Sequence, residues 1–331
     1  MEETQNKKKG SAKGKKSKKG SPTKRSFFFK PATIILFFLT TLLLVLGILY
    51  LARVQQWFSP PIDSKSSTTV TPVQKEEKSS ASKKVSVPAA EYNNLPLTQR
   101  DSYDPLLREQ GTALVAIIVD DLGGDLGMMQ EFLDLQLNLT VAVLPNVPHA
   151  RAVAELAHAA GREVLLHIPM EPRDYPAVDP GEQALMVDLS REEVQHRLRG
   201  YLQTVPWVVG ANNHMGSRFT ESHEGMQGVL QFLKDQGMFF VDSVTTADSV
   251  AIAEAKRIEI AHNERDLFLD NDLNEEAIRR QIRKLIKIAK ETGSAIGICH
   301  PHSATVAALK QEAPSIAAAG VHMVGVSALV R

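Results

Sequence analysis

From Gly111 to Arg331, short runs of apolar, often β-branched residues alternate with stretches that repeat an apolar residue every three or four positions. The first kind predicts buried strands and the second predicts helices packed on them. Strands are predicted over 113–119 (ALVAIIV), 139–145 (LTVAVLP), 162–169 (REVLLHIP), 207–213 (WVVGANN), 238–243 (MFFVDS), 266–270 (DLFLD) and 294–300 (SAIGICH), with an eighth, short one over 321–329. Residues 149–161 predict a helix ended by Gly161. Ser190 with Glu193 forms a capping box that opens a helix carrying Val194, Leu198 and Leu202. Met226, Leu230 and Leu233 stripe another helix, and one more is expected near 247–255. Asp272 with Glu275 is expected to cap a long helix carrying Ile278, Ile282, Leu285 and Ile288, and an Ala-rich helix precedes the last strand. Such alternation predicts a parallel sheet with helical crossovers. A barrel and an open doubly wound sheet share this pattern, so periodicity does not choose between them.

Upstream of Gly111 the pattern is different. Residues 32–52, ATIILFFLTTLLLVLGILYLA, carry no charge over 21 positions, and about 20 apolar residues suffice for a helix to cross a bilayer. The run exceeds the apolar core of a cleaved signal peptide, about 7–15 residues, so 31–53 is read as an uncleaved transmembrane anchor. Net charge is zero for the whole chain, yet residues 1–30 carry a net +9 and the remainder a net −9. Basic residues accumulate on the cytoplasmic side of a membrane. The expected topology is therefore a single pass through a bacterial inner membrane, with a disordered, basic cytoplasmic tail over 1–30. Because a topology signal already accounts for that charge, no nucleic acid is expected as a partner. Residues 54–110, rich in Ser, Pro, Lys, Thr and Glu, read as a flexible tether, which leaves 111–331 as a domain outside the cytoplasm. Cys299 is the single cysteine, which excludes an intrachain disulfide and a CxxC metal site.

The polar residues cluster where the predicted strands end: Asp120 and Asp121, His167, Asn212 through His214, Asp242 and Ser243, Asp270, and His300 with His302. In a parallel β/α barrel all those ends lie on one face, the face that carries active sites. Asp and His side chains there can surround a divalent ion while leaving positions open for water and substrate, and a second carboxylate beside them can act as a base. His149, His158, His196, His223 and His322 fall on predicted helices or loops and are read as surface residues, and His262 is ambiguous. No GxSxG elbow surrounds Ser217, which disfavours a serine hydrolase. Cys299 and His300 are strand neighbours and point to opposite faces, which disfavours a Cys/His dyad.

Four ordered motifs carry a resemblance. IVDDLG (118–123), HIPME (167–171), NNHMGSRFT (212–220) and CHPH (299–302) resemble the polysaccharide deacetylase superfamily, and LLHIPMEP, NNHMGSRFT and HPH together resemble its divergent branch, over about residues 113–329. The resemblance implies a distorted (β/α)7 barrel. It implies Asp120 as catalytic base, His300 as general acid, and Asp121 and His167 as ligands of one divalent metal; His214, which closes the fourth strand on the same face, is the expected third ligand, and zinc the expected ion. Glu171 stands where the superfamily has a second His, and the usual Arg-Pro-Tyr motif is replaced by the segment that supplies His214. Glu171, Asn213, Ser217, Arg218, Asp242, Asp270 and His302 are candidates for supporting the ligands or meeting substrate, with Ser217 and Arg218 suited to a hydroxyl or a carboxylate. The implied activity is removal of acetyl groups from an N-acetylated envelope polysaccharide or peptidoglycan. The replaced His and the long tether favour an alternative, a non-catalytic envelope module that binds glycan or metal on the same barrel.

Overall fold

A computed structural model describes residues 112–331; the tail, anchor and tether expected over 1–110 lie outside the described residues. Among the described residues no helix is long and apolar enough to cross a membrane.

The chain runs β1 (Leu114–Leu122), α1 (Leu126–Asp134), β2 (Leu139–Val143), α2 (Ala150–Ala159), β3 (Val164–Met170), α3 (Arg191–Thr204), β4 (Val208–Met215), α4 (His223–Asp235), β5 (Phe239–Asp242), α5 (Ala251–Ile258), β6 (His262–Glu264), β7 (Leu267–Phe268), α6 (Glu275–Thr292), β8 (Ser294–Cys299), α7 (Ser303–Ala318) and β9 (His322–Met323). Every strand pairing is parallel. The order across the sheet is β6-β5-β4-β3-β2-β1-β8-β7, with β9 beside the start of β1. These eight strands form a curled half-barrel. The expected sixth strand, 266–270, is observed as β7 at Leu267–Phe268, which pairs with β8, while β6, just ahead of it at His262–Glu264, is an additional strand that pairs with β5. One segment, 262–268, thus joins the two edges of the curl. That is how seven strand positions in the sequence become eight on the path. The expected strand over 321–329 is shorter, because the chain turns into a 3-10 helix at Val326–Leu329 after β9.

Alternation along the strands divides the core in two. Val115, Ile117 and Val119 of β1 face outward and pack with helix residues such as Val153, Leu198, Leu230 and Ile282. Leu114, Ala116 and Ile118 face the inside of the curl with Ala142, Leu165, Phe239, Val241, Ile296 and Ile298. Period two sets both faces from one run of sequence, and a parallel sheet covered by helices outside and filled inside reads as continuous apolar strands.

The caps follow local chemistry. Ser190 accepts from the backbone N–H of Glu193, while the Glu193 side chain turns to Arg197. The expected Asp272 cap is corrected: Asn274 caps α6 by accepting from Ala277 N–H. Asp272 instead accepts from the N–H of Asn274, a local Asx turn that shifts the helix start by two residues. α1, capped by Asp125, went unpredicted. His322, expected on the surface, is buried in β9.

Candidate metal centre and active site

The inward column of each strand continues into the site. On β1 the column Leu114, Ala116, Ile118 leads to Asp120, buried at the strand end. On β3, Leu165 leads to His167, and on β8, Ile296 and Ile298 lead to His300. On β4, alternation places Asn212 and His214 on one side and Asn213 on the other. The polar groups are the last layer of a packed interior.

Asp121 should point away from Asp120, as any strand neighbour does. It does not, because Asp121 has a positive φ of 57° and the β1–β2 register shifts between Val119 and Leu122. Such a bulge re-aims a side chain. Both carboxylates consequently meet His167: Nε2 lies 3.0 Å from Asp121 Oδ1 and 3.7 Å from Asp120 Oδ2. His214 Nδ1 lies 2.7 Å from the same Asp121 oxygen, and the two imidazoles meet edge to face with centroids 5.1 Å apart. One ligand atom from each of Asp121, His167 and His214 lies within 4.8 Å of the others, so the three could hold a metal ion. Two imidazole nitrogens and a carboxylate oxygen, with further positions open, are a donor set used by catalytic zinc.

Behind these groups stands Asn212, fully buried. Its Oδ1 is 2.8 Å from His167 Nδ1 and its Nδ2 donates to Asp120 Oδ1 at 2.7 Å. Asn212 therefore orients the His167 imidazole, in the manner of the outer partners that fix metal-binding histidines, and steadies the Asp120 carboxylate. Asn213 is the strand-end amide expected at the site. That residue turns the other way, accepting from Ser243 N–H and donating to Met215 C=O. The signal was present: residues two apart on a strand share a face, so His214 selects Asn212.

His300 is held by Asp270. Its Nδ1 lies 2.9 Å from Asp270 Oδ1, and its backbone N–H donates to Oδ2 at 2.6 Å. Thr305 donates to the same Oδ2. The imidazole stacks on Phe268, centroids 5.8 Å apart, and the Arg265 guanidinium covers Phe268 at 3.8 Å. Neither Phe268 nor Arg265 is among the sequence candidates; both lie on the 262–268 segment that carries β6 and β7. His302 is exposed at the start of α7, its ring 6.3 Å from that of His300.

The remaining candidates lie elsewhere. Asp242 follows Phe240 on the outward face and is taken up by Ser249 Oγ and Val244 N–H, a structural role. Glu171 does not join the three ligands. Its Oε2 accepts from Val187 N–H at 2.7 Å and its Oε1 pairs with Arg218 at 2.6 Å. Ser217 accepts from Arg173 N–H.

Electrostatics separate the two aspartates. Burial raises the Asp120 carboxyl above its usual range, although the His167 charge and the Asn212 bond oppose this. Burial also acts to raise Asp121, but hydrogen bonds from His167 and His214 outweigh it and hold that carboxyl well below the usual range. For His167, burial is overcome by the charges of Asp120 and Asp121, which push it up to about 9. For His300, burial is overcome by Asp270, and its pKa is raised. Burial and partners thus push these two neighbouring carboxyls in opposite directions, the kind of separation that acid–base sites use.

A family model for divergent polysaccharide deacetylases matches residues 117–330. The chain belongs to the divergent polysaccharide deacetylase family. The uncharacterized protein YibQ of Escherichia coli K12 is 39% identical over 197 residues, which are 60% of this chain and 61% of that one. An uncharacterized protein of Haemophilus influenzae is 35% identical over 197 residues, 59% of this chain and 69% of its own. The chain thus spans about 61% of the length of the Escherichia coli relative. The crystal structure of the uncharacterized protein ATU2773 from Agrobacterium tumefaciens C58 superposes with a TM-score of 0.63 at 26% identity, covering 74% of this chain and 99% of that one.

Proposed function

We propose that this protein is a zinc-dependent deacetylase of N-acetylated envelope glycan, carried on the outer side of the bacterial inner membrane by the 31–53 anchor. The observation that carries the reading is the Asp120–Asp121 pair. A single left-handed residue turns two adjacent carboxylates to one side, and only one of them is tied to both imidazoles. A divalent ion held by Asp121, His167 and His214 would supply the charge that polarises an acetamide carbonyl and acidifies water. Asp120, buried and with a raised pKa, is suited to take a proton from the attacking water. His300, whose proton is retained by Asp270, is suited to give one to the leaving nitrogen. Water adds to the carbonyl, the C–N bond breaks, and acetate and a free amine result. Asn212 keeps the His167 ring and Asp120 in register throughout.

Acetate release from N-acetylglucosamine oligomers and from peptidoglycan, measured with the full chain and added zinc, tests this. The expected result is zinc-dependent release that Asp120→Asn abolishes while zinc binding persists. Zinc uptake without acetate release from either substrate would overturn the hydrolase and leave the non-catalytic binding module.

A further inference from the structure

Glu171 occupies the exit of β3, four residues beyond His167, and is 3% exposed. Both of its carboxylate oxygens are engaged, one by Val187 N–H and one by the Arg218 guanidinium. Its carbonyl accepts from the N–H groups of Arg218 and Phe219, at 3.1 Å each. The loops leaving β3 and β4 are further laced by the bond from Arg173 N–H to Ser217 Oγ. Arg218 itself follows His214 by four residues, on the strand-end face that carries the two histidines, and about half of its side chain is open to solvent (52%). The neighbouring Arg173 differs, because its guanidinium is shared between Glu221 and Asp248 at 2.5 Å each.

A buried carboxylate that fixes a half-open guanidinium leaves a fork with donors still directed outward. A guanidinium has five N–H donors, and one bond to Glu171 leaves most of them available. Arginine held in this way suits a planar anion, because two parallel N–H bonds match a carboxylate. We propose that Arg218, positioned by Glu171, recognises a carboxylate on the substrate, so that the preferred glycan is an N-acetylated sugar bearing an acidic substituent rather than a neutral polymer. This deepens the deacetylase reading and rests on it for the sugar, but recognition of the anion is a binding property and is measurable without turnover.

The test is calorimetric binding to the full chain in detergent, with zinc present. The probes are a neutral N-acetylglucosamine disaccharide and the matched disaccharide that carries a lactyl ether carboxylate. The wild type is expected to bind the acidic probe about tenfold or more tightly, since charge-assisted bonds are the strong ones, and the advantage should shrink with added salt. Arg218→Gln should bring the ratio of the two affinities close to one. That change also strands the buried Glu171 carboxylate, so the double variant Glu171→Gln with Arg218→Gln, which leaves a neutral pair, checks that the loss is not misfolding. Arg218→Lys should keep only part of the preference. Equal binding of the two probes by the wild type, or a preference that survives in the folded double variant, would overturn the proposal. Acidic preference with no acetate released from either probe would overturn the deacetylase reading and leave the anion site standing.

Discussion

Asn212→Ala is the sharpest test of how the centre is built. Asn212 is itself fully buried, and it bonds His167 at 2.8 Å and Asp120 at 2.7 Å, both of them almost completely buried. Removing the amide strands His167 Nδ1 and Asp120 Oδ1, and an unsatisfied buried group costs about 1–3 kcal/mol. In a domain of this size each kcal/mol lowers Tm by about 2–4 °C. The second effect is on metal. With Nδ1–H no longer fixed by an acceptor, His167 loses both tautomer and ring orientation, and losses of this kind weaken affinity by about 10–100-fold. Zinc titration by calorimetry, together with thermal unfolding with and without zinc, reads both. Asn212→Asp makes the contrast: it preserves the acceptor for His167 but puts a second negative charge against Asp120. It should therefore retain more zinc affinity than Asn212→Ala while losing activity. If Asn212→Ala binds zinc within about twofold of wild type, the amide does not orient the ligand and the reasoning from its hydrogen bonds is wrong.

Asp270→Asn should move the alkaline limb of the acetate-release profile to lower pH, because Asp270 is what raises His300 against the pull of burial. In stability terms the raised His300 contributes fully below its unfolded pKa of about 6.5 and is lost as pH rises through the folded value. The lowered Asp270 contributes above about 3.9 and is lost as pH falls through its own folded value. The Tm gap between wild type and Asp270→Asn should therefore be widest between about pH 4 and 6.5; a gap that widens steadily toward alkaline pH would contradict the pairing. Gly216→Ala should destabilise by about 1–3 kcal/mol and weaken zinc binding: Gly216 has a φ of +88°, and an added Cβ would lie 2.9 Å from Met170 Cβ, two residues beyond His214. An unchanged denaturation midpoint would sink that claim. A reporter active only outside the cytoplasm, fused after Arg331, should work if residues 31–53 orient the chain by the charge asymmetry around them. Activity from a cytoplasm-only reporter at the same position would reverse the topology.

How far the sequence discloses this site depends on which rule each residue obeys. The regular part was legible. Ile118 to Asp120, Leu165 to His167 and Ile298 to His300 each continue an inward column whose apolar members were already evident as strands, so a polar residue two steps beyond a buried one inherits its direction. The same rule separates Asn212 from Asn213 and Asp270 from Asp242; applied by parity rather than by position at a strand end, it would have selected the right member each time. The irregular part could not be read that way. Asp121 reaches the centre only because its backbone leaves the extended region, and nothing in Val-Asp-Asp-Leu states that the second Asp breaks the alternation. The family motif supplied what the period could not. The sixth strand shows the converse. Only 266–270 reads as a strand; His262 to Glu264 is too short and too polar to announce a further pairing, yet with β7 it joins the edges of the sheet. It also brings Arg265 and Phe268 behind His300. Glu171 lies between these cases. Its spacing from His167 suggested a ligand, and a carboxylate can serve as one. What decided its role was a tertiary neighbour, Arg218, 47 positions away, whose charge draws the carboxylate out of the metal set and into a pair. Periodicity can aim a side chain at a site, but the choice between two partners of opposite character is made by what the fold places beside it.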